Sequence, residues 1–428
     1  MDAVVHPSGL SGRTAGPPAK SDTHRALIAM ALGGGGHIHG PLDSADTRAT
    51  GHAITTLGAG VEWTATPVVV EGFPGGGPRP AKRPIDCANS GTTLRFAIAL
   101  AALAHGSSRL TGDRSLRRRP NGPLLAAIDA LGATATSETA DGTAPVTVEG
   151  PIAGGSVALP GSISSQFVSS LLMVGGLTER GIDIELTSPL VSRPYVDLTR
   201  EMLACFGVET SAGETHFAVA GGQSFTPPST GVEIGADPTA VSYLLAAGAL
   251  AGEPAIEVED VGRRGDYPAP ILDVLRAMDI PHERVGPGVR VERATPRAGH
   301  FDLGDAPDLL PTVALLAALA DGTSTLEHLD HARYKESDRI ATTAGFLRRL
   351  GVPVSERADG LLVRGQPGGL GGGTVDSHGD HRIAMAAALA GLVADGPVRV
   401  TGAECVSVSF PGFFEALEGL GAGVDRIE

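Results

Sequence analysis

The chain repeats itself six times, and this periodicity constrains its fold more than any other feature. Amphipathic segments end at Leu57-Gly58, Leu131-Gly132, Phe206-Gly207, Met278-Asp279, Leu350-Gly351 and Leu420-Gly421. Successive markers lie 74, 75, 72, 72 and 70 residues apart, so six copies of roughly 72 residues fill the 428-residue chain. Each copy reads as an apolar helix of small residues, a short strand, a polar loop, an amphipathic helix and further strand. The fifth copy supplies LLPTVALLAALA, TSTLEHL, DHARYKESD, RIATTAGFLRRLG and VPVSE in that order. The repeat is therefore a βαβαββ-like unit of an α/β fold.

The first helix of each copy has almost no polar face, as in ALIAMAL, RFAIALAALA, VSYLLAAGALA and RIAMAAALAGLVA. A helix that is apolar all round must be buried, and Ala and Gly let its neighbours approach closely. Composition agrees: 42% of residues are hydrophobic, only 4% are aromatic, and 60 are glycine, so the core is aliphatic. Three copies wrapped around their buried helices make one domain, and six copies make two. The expected domains are residues 18–235 and residues 1–17 plus 236–428, with the crossover near 231–237 and the first strand joining the second half.

A formal net charge of −15 argues against a general nucleic-acid or anionic-membrane binder, while leaving room for a local basic pocket. Arginine almost replaces lysine, which occurs only as Lys20, Lys82 and Lys335. Such an acidic, lysine-poor chain fits a salt-loving or a GC-rich source. Cys87, Cys205 and Cys405 are far apart and lack CxxC spacing, which points to neither zinc nor a disulfide framework. No signal-peptide pattern opens the chain, and apolar runs such as 313–320 are too short to span a bilayer. The expectation is a cytoplasmic monomer.

The starts of the buried helices carry the chemistry. They read Lys20-Ser21-Asp22, Asn89-Ser90-Gly91-Thr92, Ser164-Ser165-Gln166, Asp237-Pro238-Thr239, Pro307-Asp308 and Gly379-Asp380-His381-Arg382. Any one of these residues reads as a simple N-cap. Three helix N-termini on one surface of each domain, each with roughly half a positive charge, would attract phosphate and carboxylate groups. Lys20, Arg25, Arg95 and Arg382 flank these buried runs, where an unpartnered charge is costly, so a bound anion is expected to satisfy them. The polar loops add Arg117-Arg118-Arg119, Ser192-Arg193-Pro194-Tyr195 and Arg333-Tyr334-Lys335-Glu336-Ser337-Asp338-Arg339. Solvated loops and surface salt bridges are the plainer reading of each, but all occupy the same slot in their copies.

These residues resemble a known family. DCANSGTTLRFAIAL and RYKESDRIATT look like the two diagnostic motifs of the 5-enolpyruvylshikimate-3-phosphate synthases. GPPAKSDTHRA, RRRPNGPL, GSISSQF, VSRPY, PDLLPT and GDHRIAMA fit further segments of that family in the right order. The resemblance implies a two-domain inverse α/β barrel of six βαβαββ repeats, with the active site in the cleft between the domains. It implies transfer of the carboxyvinyl group of phosphoenolpyruvate to the 5-hydroxyl of shikimate 3-phosphate, on the route to chorismate and aromatic amino acids. The reaction passes through a tetrahedral intermediate, releases phosphate, and needs no metal or organic cofactor.

By the same resemblance Asp308 handles the hydroxyl proton, Glu336 exchanges a proton at the methylene carbon, and Lys20 contacts both substrates. Lys20, Ser21, Arg25, Ser164, Ser165, Gln166, Ser192, Tyr195, Asp308 and Lys335 would hold shikimate phosphate. Gly91, Thr92, Arg95, Arg119, Gln166, Arg339 and Arg382 would surround phosphoenolpyruvate with Lys20, and Asn89 and His381 would lie nearby. Arginine suits this work because its planar fork matches carboxylate and phosphate. A carboxyl acting as an acid must keep its proton near neutral pH, which a desolvated site favours.

Three departures stand out: Pro18-Ala19 replaces the common Gly-Ser, His331 stands at a usual asparagine, and Val408 stands at a usual lysine near phosphoenolpyruvate. Gly91 matches the glyphosate-sensitive members. The related UDP-N-acetylglucosamine carboxyvinyltransferases carry a cysteine in the second-copy loop, and residues 112–120 contain none. A non-catalytic anion-binding scaffold is disfavoured by the presence of Lys20, Asp308 and Glu336. Ala19-Lys20-Ser21 imitates the end of a P-loop but lacks its glycines. His37-x-His39 and His378-x-x-His381 lack a third metal ligand.

Overall fold

The computed structural model describes residues 1–261 and 270–428. Its helices come in pairs, one pair to a repeat. They are α1 (Lys20–Leu32) and α2 (Ala45–Thr56), α3 (Gly91–Leu103) and α4 (Gly122–Ala130), α5 (Ser165–Gly175) and α6 (Pro194–Cys205). The second half continues with α7 (Val241–Ala251) and α8 (Pro270–Ala277), α9 (Leu310–Ala318) and α10 (Arg339–Arg349), α11 (His381–Gly391) and α12 (Phe413–Gly419). The odd-numbered helices are those whose sequences lack a polar face, and almost every residue in them is buried. The even-numbered helices bury one stripe. In α10, Ile340, Ala344, Phe346 and Leu347 turn inward while Arg348 and Arg349 are exposed.

Two compact units result: Lys20–Ile234, and Met1–Ala19 together with Gly235–Glu428. They are called the first and second unit below. Each holds three four-stranded sheets among its described residues, and every sheet has one parallel pair and two antiparallel pairs. The reason is local. Parallel neighbours cannot be joined by a tight turn, so a helix must cross between them. Gly155–Pro160 pairs with Ile182–Ser188 in the register Val157↔Ile184, and α5 is the crossover. The antiparallel pairs then add His216–Val219 and Thr210–Ala212 as a hairpin.

Two passages of the chain break this local order. Leu10–Ala15, which precedes α1, pairs in the second unit with Gly252–Glu259 (Arg13↔Glu257). Val232–Glu233, which precedes α7, pairs in the first unit with Gly35–His39 (Val232↔Ile38). Asp2–His6 lies between Val398–Thr401 and Gly423–Ile427 in a sheet of the second unit. Both ends of the chain are therefore tied into one unit.

In the second unit α7, α9 and α11 pack on one another, burying Leu244, Leu315 and Ala387 completely. Small residues permit this closeness. A Cβ on Gly248 would lie 2.5 Å from both Ile256 Cγ1 and Val291 Cγ1, and one on Gly391 would lie 2.8 Å from Val5 Cβ. In the first unit α3 packs on α5, while α2 packs on both α1 and α3. Among the described residues no helix is long and apolar enough to cross a membrane.

Candidate active site

Capping accounts for part of the polar sequence at the helix starts. Ser90 Oγ accepts from Thr93 N at 3.1 Å, Ser164 Oγ from Gln166 N at 3.3 Å, and Asp380 Oδ1 from Arg382 N at 3.0 Å. These contacts satisfy backbone donors that a helix cannot serve itself. The cations beside them need a different account. Each unit gathers its own set.

In the first unit Lys20 opens α1, and its Nζ lies 3.0 Å from Asp46 Oδ2 on α2. One turn on, Arg25 is 2% exposed and donates to Thr199 Oγ1, Ser21 O and Tyr195 O at 2.8–2.9 Å. Arg95 donates to Gln166 Oε1 at 2.6 Å, Asn121 Oδ1 at 3.2 Å and Pro120 O at 3.3 Å, and it lies over the Phe167 ring. Arg119 donates to Asn89 Oδ1 at 2.5 Å, and Asn89 in turn donates to Asp113 Oδ2 at 2.6 Å. Gln166 Nε2 donates to Thr92 Oγ1 at 3.0 Å, tying the starts of α3 and α5 together. Gly91 leaves room at this point: a Cβ there would lie 3.2 Å from Arg119 Nη1 and 3.4 Å from Arg95 Nη1. Gly91, Thr92, Asn89, Arg95, Arg119 and Gln166 therefore form one cluster, Ser21, Arg25, Tyr195 and Thr199 form a second, and Lys20 pairs with Asp46. Ser165 and Ser192 are buried, and Ser192 holds a left-handed φ of 54° before α6.

In the second unit a single buried guanidinium organises the set. Arg339, the first residue of α10, is in contact with Asp308 and Glu336, and its Nε donates to Asp380 Oδ2 at 2.9 Å. Burial disfavours its charge, but Asp380, Glu336 and Asp308 together hold its pKa well above the usual arginine range. Asp308, in a 3-10 turn at Pro307–Leu309, also lies 3.3 Å from Arg382 Nη2 and 3.7 Å from Lys335 Nζ. Asp380 is fully buried as the N-cap of α11 and accepts a further bond from Ser337 Oγ at 2.9 Å. His381, the first residue of α11, is buried. Among the described residues no group of three or more His, Cys, Asp or Glu side chains could hold a metal ion.

The four cations expected to depend on a bound anion all have protein partners. Lys20 and Arg382 meet Asp46 and Asp308, and Arg25 and Arg95 donate to main-chain and amide oxygens. A buried cation must be solvated by something, and carbonyl oxygens can serve where carboxylates do not. Asp46, the partner of Lys20, is a side chain that the sequence alone does not single out. It sits in the first turn of α2, two residues after the N-cap Ser44, where an acidic side chain reads as ordinary helix-start chemistry.

His331 lies in a 3-10 turn at Asp330–Tyr334, 4% exposed. Burial lowers its pKa to about 4, and the Lys335 charge adds to this against an opposing pull from Asp308. It is therefore neutral in the folded protein at neutral pH. The unfolded chain takes up this proton near 6.5, so the second unit keeps its stability above that pH and loses it as pH falls toward 4. The loss is at most about 1.4 kcal/mol per pH unit. His331→Asn is expected to flatten this acid slope, which urea unfolding at pH 7.5 and pH 5 measures directly. Val408 is half-buried at the end of a 3-10 turn, Ala403–Val408.

The EPSP synthase (3-phosphoshikimate 1-carboxyvinyltransferase) family model matches residues 4–417. A 3-phosphoshikimate 1-carboxyvinyltransferase from Halobacterium salinarum is 49% identical over 432 residues, covering 99% of this chain and 100% of the relative. One from Methanothrix thermoacetophila is 43% identical, covering 99% of each. Among solved structures, the EPSP synthase from Acinetobacter baumannii superposes with a TM-score of 0.82 at 26% identity, covering 99% of this chain and all of that one. The enolpyruvyl transferase NikO from Streptomyces tendae, at 20% identity and a TM-score of 0.79 over 100% of this chain and 98% of its own, shares the fold. Six repeats, two arginine-rich residue clusters and similarity over the full length converge, and the chain belongs to the EPSP synthase (3-phosphoshikimate 1-carboxyvinyltransferase) family.

Proposed function

We propose that this chain transfers the carboxyvinyl group of phosphoenolpyruvate to the 5-hydroxyl of shikimate 3-phosphate, releasing inorganic phosphate. The observation that carries the reading is the meeting of Asp308, Glu336, Lys335 and Arg382 around or beside Arg339, within a family whose relatives bear this activity in their names. The oxygen of the hydroxyl adds to C2 of phosphoenolpyruvate as C3 gains a proton. The intermediate then loses phosphate as C3 gives a proton up. Asp308 takes the hydroxyl proton, and Glu336 delivers and recovers the proton at C3. Arg339, Arg382 and Lys335 offset the charge of the phosphate and carboxylate groups. An incoming carboxylate or phosphate would compete with Asp308 and Glu336 for Arg339, freeing those two carboxylates for proton transfer.

The first unit supplies the remaining contacts in this reading. Lys20 touches both substrates. Ser21, Arg25, Ser164, Ser165, Gln166, Ser192 and Tyr195 hold shikimate phosphate with Lys335. Asn89, Gly91, Thr92, Arg95 and Arg119 receive phosphoenolpyruvate, as do His381, Arg382 and Arg339 of the second unit. The two units are the two domains of one enzyme, and both residue sets come from one chain, so a monomer suffices. The reaction needs no metal or organic cofactor. Charged, membrane-impermeant substrates and a net charge of −15 favour a cytoplasmic enzyme without nucleic-acid or membrane partners.

Phosphate release tests the reading. The protein is expected to release phosphate only when both substrates are present. Lys20→Ala is expected to lower kcat/KM by about 100-fold or more, because it removes charge that meets both ligands. A wild-type protein that releases no phosphate from the substrate pair refutes the proposal.

A further inference from the structure

The first unit contains a polar chain in which Lys20 alone has a proposed substrate role. It runs across three helices in two rungs, one helical turn apart. Lys20 and His24 are four residues apart on α1, and Asp46 and Thr50 are four apart on α2, so each pair shares a helix face. The upper rung joins Lys20 Nζ to Asp46 Oδ2 at 3.0 Å, and Asp46 O to Thr93 Oγ1 of α3 at 3.3 Å. The lower rung joins His24 Nδ1 to Thr50 Oγ1 at 2.7 Å, and Thr50 Oγ1 to Thr93 Oγ1 at 2.7 Å. Thr93 Oγ1 then lies 2.8 Å from Oγ of Ser90, the N-cap of α3. His24, Thr50 and Thr93 are all at least 98% buried.

The protons can be placed. Burial, with the Lys20 and Arg25 charges, pushes the His24 pKa well down, so the ring is neutral and donates from one nitrogen only. His24 Nε2 is buried without a hydrogen-bond partner. Placing the proton on Nδ1 leaves only a bare lone pair on Nε2, whereas placing it on Nε2 would bury an orphan N–H. The chain therefore runs from His24 N–H to Thr50, from the Thr50 hydroxyl to Thr93, and from the Thr93 hydroxyl to Ser90 or Asp46. It has a direction and a fixed length. The apolar faces beside it, rich in Ala and Leu, have little of their own to set how α1, α2 and α3 slide past one another, and a directional buried network does.

We propose that Thr50 is a positioning residue, holding Lys20 in register with the Gly91-Thr92 start of α3 through His24 and Thr93. The proposal rests on the reading above in which Lys20 and the α3 start meet the substrates. Thr50 touches neither substrate and acts through its neighbours.

Thr50→Val keeps the shape and removes the hydroxyl, and Thr50→Ser restores it. The chain's three lysines make a direct readout possible. In competitive acetylation with acetic anhydride, followed by mass spectrometry, exposed Lys82 serves as the internal standard for Lys20. In Thr50→Val, Lys20 is expected to react severalfold faster relative to Lys82. Its kcat/KM for phosphoenolpyruvate is expected to fall on the order of tenfold. Thr50→Ser is expected to restore both. Thr93→Val, which cuts the next link, is expected to reproduce both changes and serves as the test if Thr50→Val does not fold. Variants that lose stability in urea but keep wild-type Lys20 reactivity and kinetics overturn the proposal, as does failure of Thr50→Ser to restore them. A wild type that releases no phosphate overturns the functional reading instead, and the acetylation arm, which needs no substrate, still decides whether Thr50 positions Lys20.

Discussion

Asp308→Asn and Glu336→Gln are each expected to lower kcat by about 100- to 10,000-fold, the span that a positioned acid or base contributes. Both changes are isosteric and remove only the ability to exchange a proton near neutral pH. KM should move in a distinctive way. Asp308 lies beside Lys335, Arg339 and Arg382, so its carboxylate offsets part of a threefold positive cluster. Removing that charge leaves the cluster more attractive to a phosphate or carboxylate. Anion binding in Asp308→Asn is therefore expected to hold or tighten while turnover collapses. Calorimetric titration with shikimate 3-phosphate and steady-state kinetics separate the two effects. Near-normal kcat in either variant removes that residue from proton transfer, and kcat retained with a raised KM would instead make it a binding residue.

The architecture is legible in the sequence because it is written locally. A helix with no polar face announces its own burial, and RFAIALAALA and RIAMAAALAGLVA become α3 and α11 with hardly an exposed residue. Caps are local too, and Ser90, Ser164 and Asp380 cap as their residue types imply. Long-range polar partners are not written locally. Lys20 meets Asp46 across 26 residues, Arg339 meets Asp380 across 41, and Arg95 reaches Gln166 across 71. Each depends on which helices the tertiary fold brings side by side, and a single sequence carries no marker of that. Asp380 shows the gap well. Its sequence context describes an N-cap, and the fold makes the same carboxylate the fully buried counter-ion of Arg339.

The surroundings of the two proposed proton-transfer residues depend on the tertiary fold for the same reason. The sequence suggests that desolvation keeps a carboxyl protonated and ready to act as an acid. The fold puts the Arg339 guanidinium in contact with both Asp308 and Glu336. In the proposed reaction, a substrate anion that competes for Arg339 frees Glu336 to exchange the proton at C3.

Arg339→Met is expected to cost about 3–5 kcal/mol of stability, the usual result of removing one member of a buried ion pair. Methionine fills much of the volume but leaves Asp380 as a fully buried carboxylate whose remaining contacts include Ser337 Oγ and Arg382 N. Arg339→Lys should recover only part of the loss, because one ammonium cannot reproduce a planar fork that meets three carboxylates at once. The chain's single tryptophan, Trp63, belongs to the first unit, whereas Arg339 and its partners belong to the second. Far-ultraviolet dichroism in urea is therefore expected to show a new early transition in Arg339→Met that Trp63 fluorescence does not follow. The double variant Arg339→Met/Asp380→Asn removes the orphaned charge and should regain part of the lost stability, a coupling that a double-mutant cycle measures. If the double variant is less stable than Arg339→Met by the full cost of Asp380→Asn alone, the two side chains do not act as a pair, and the charge-balanced account of this site fails.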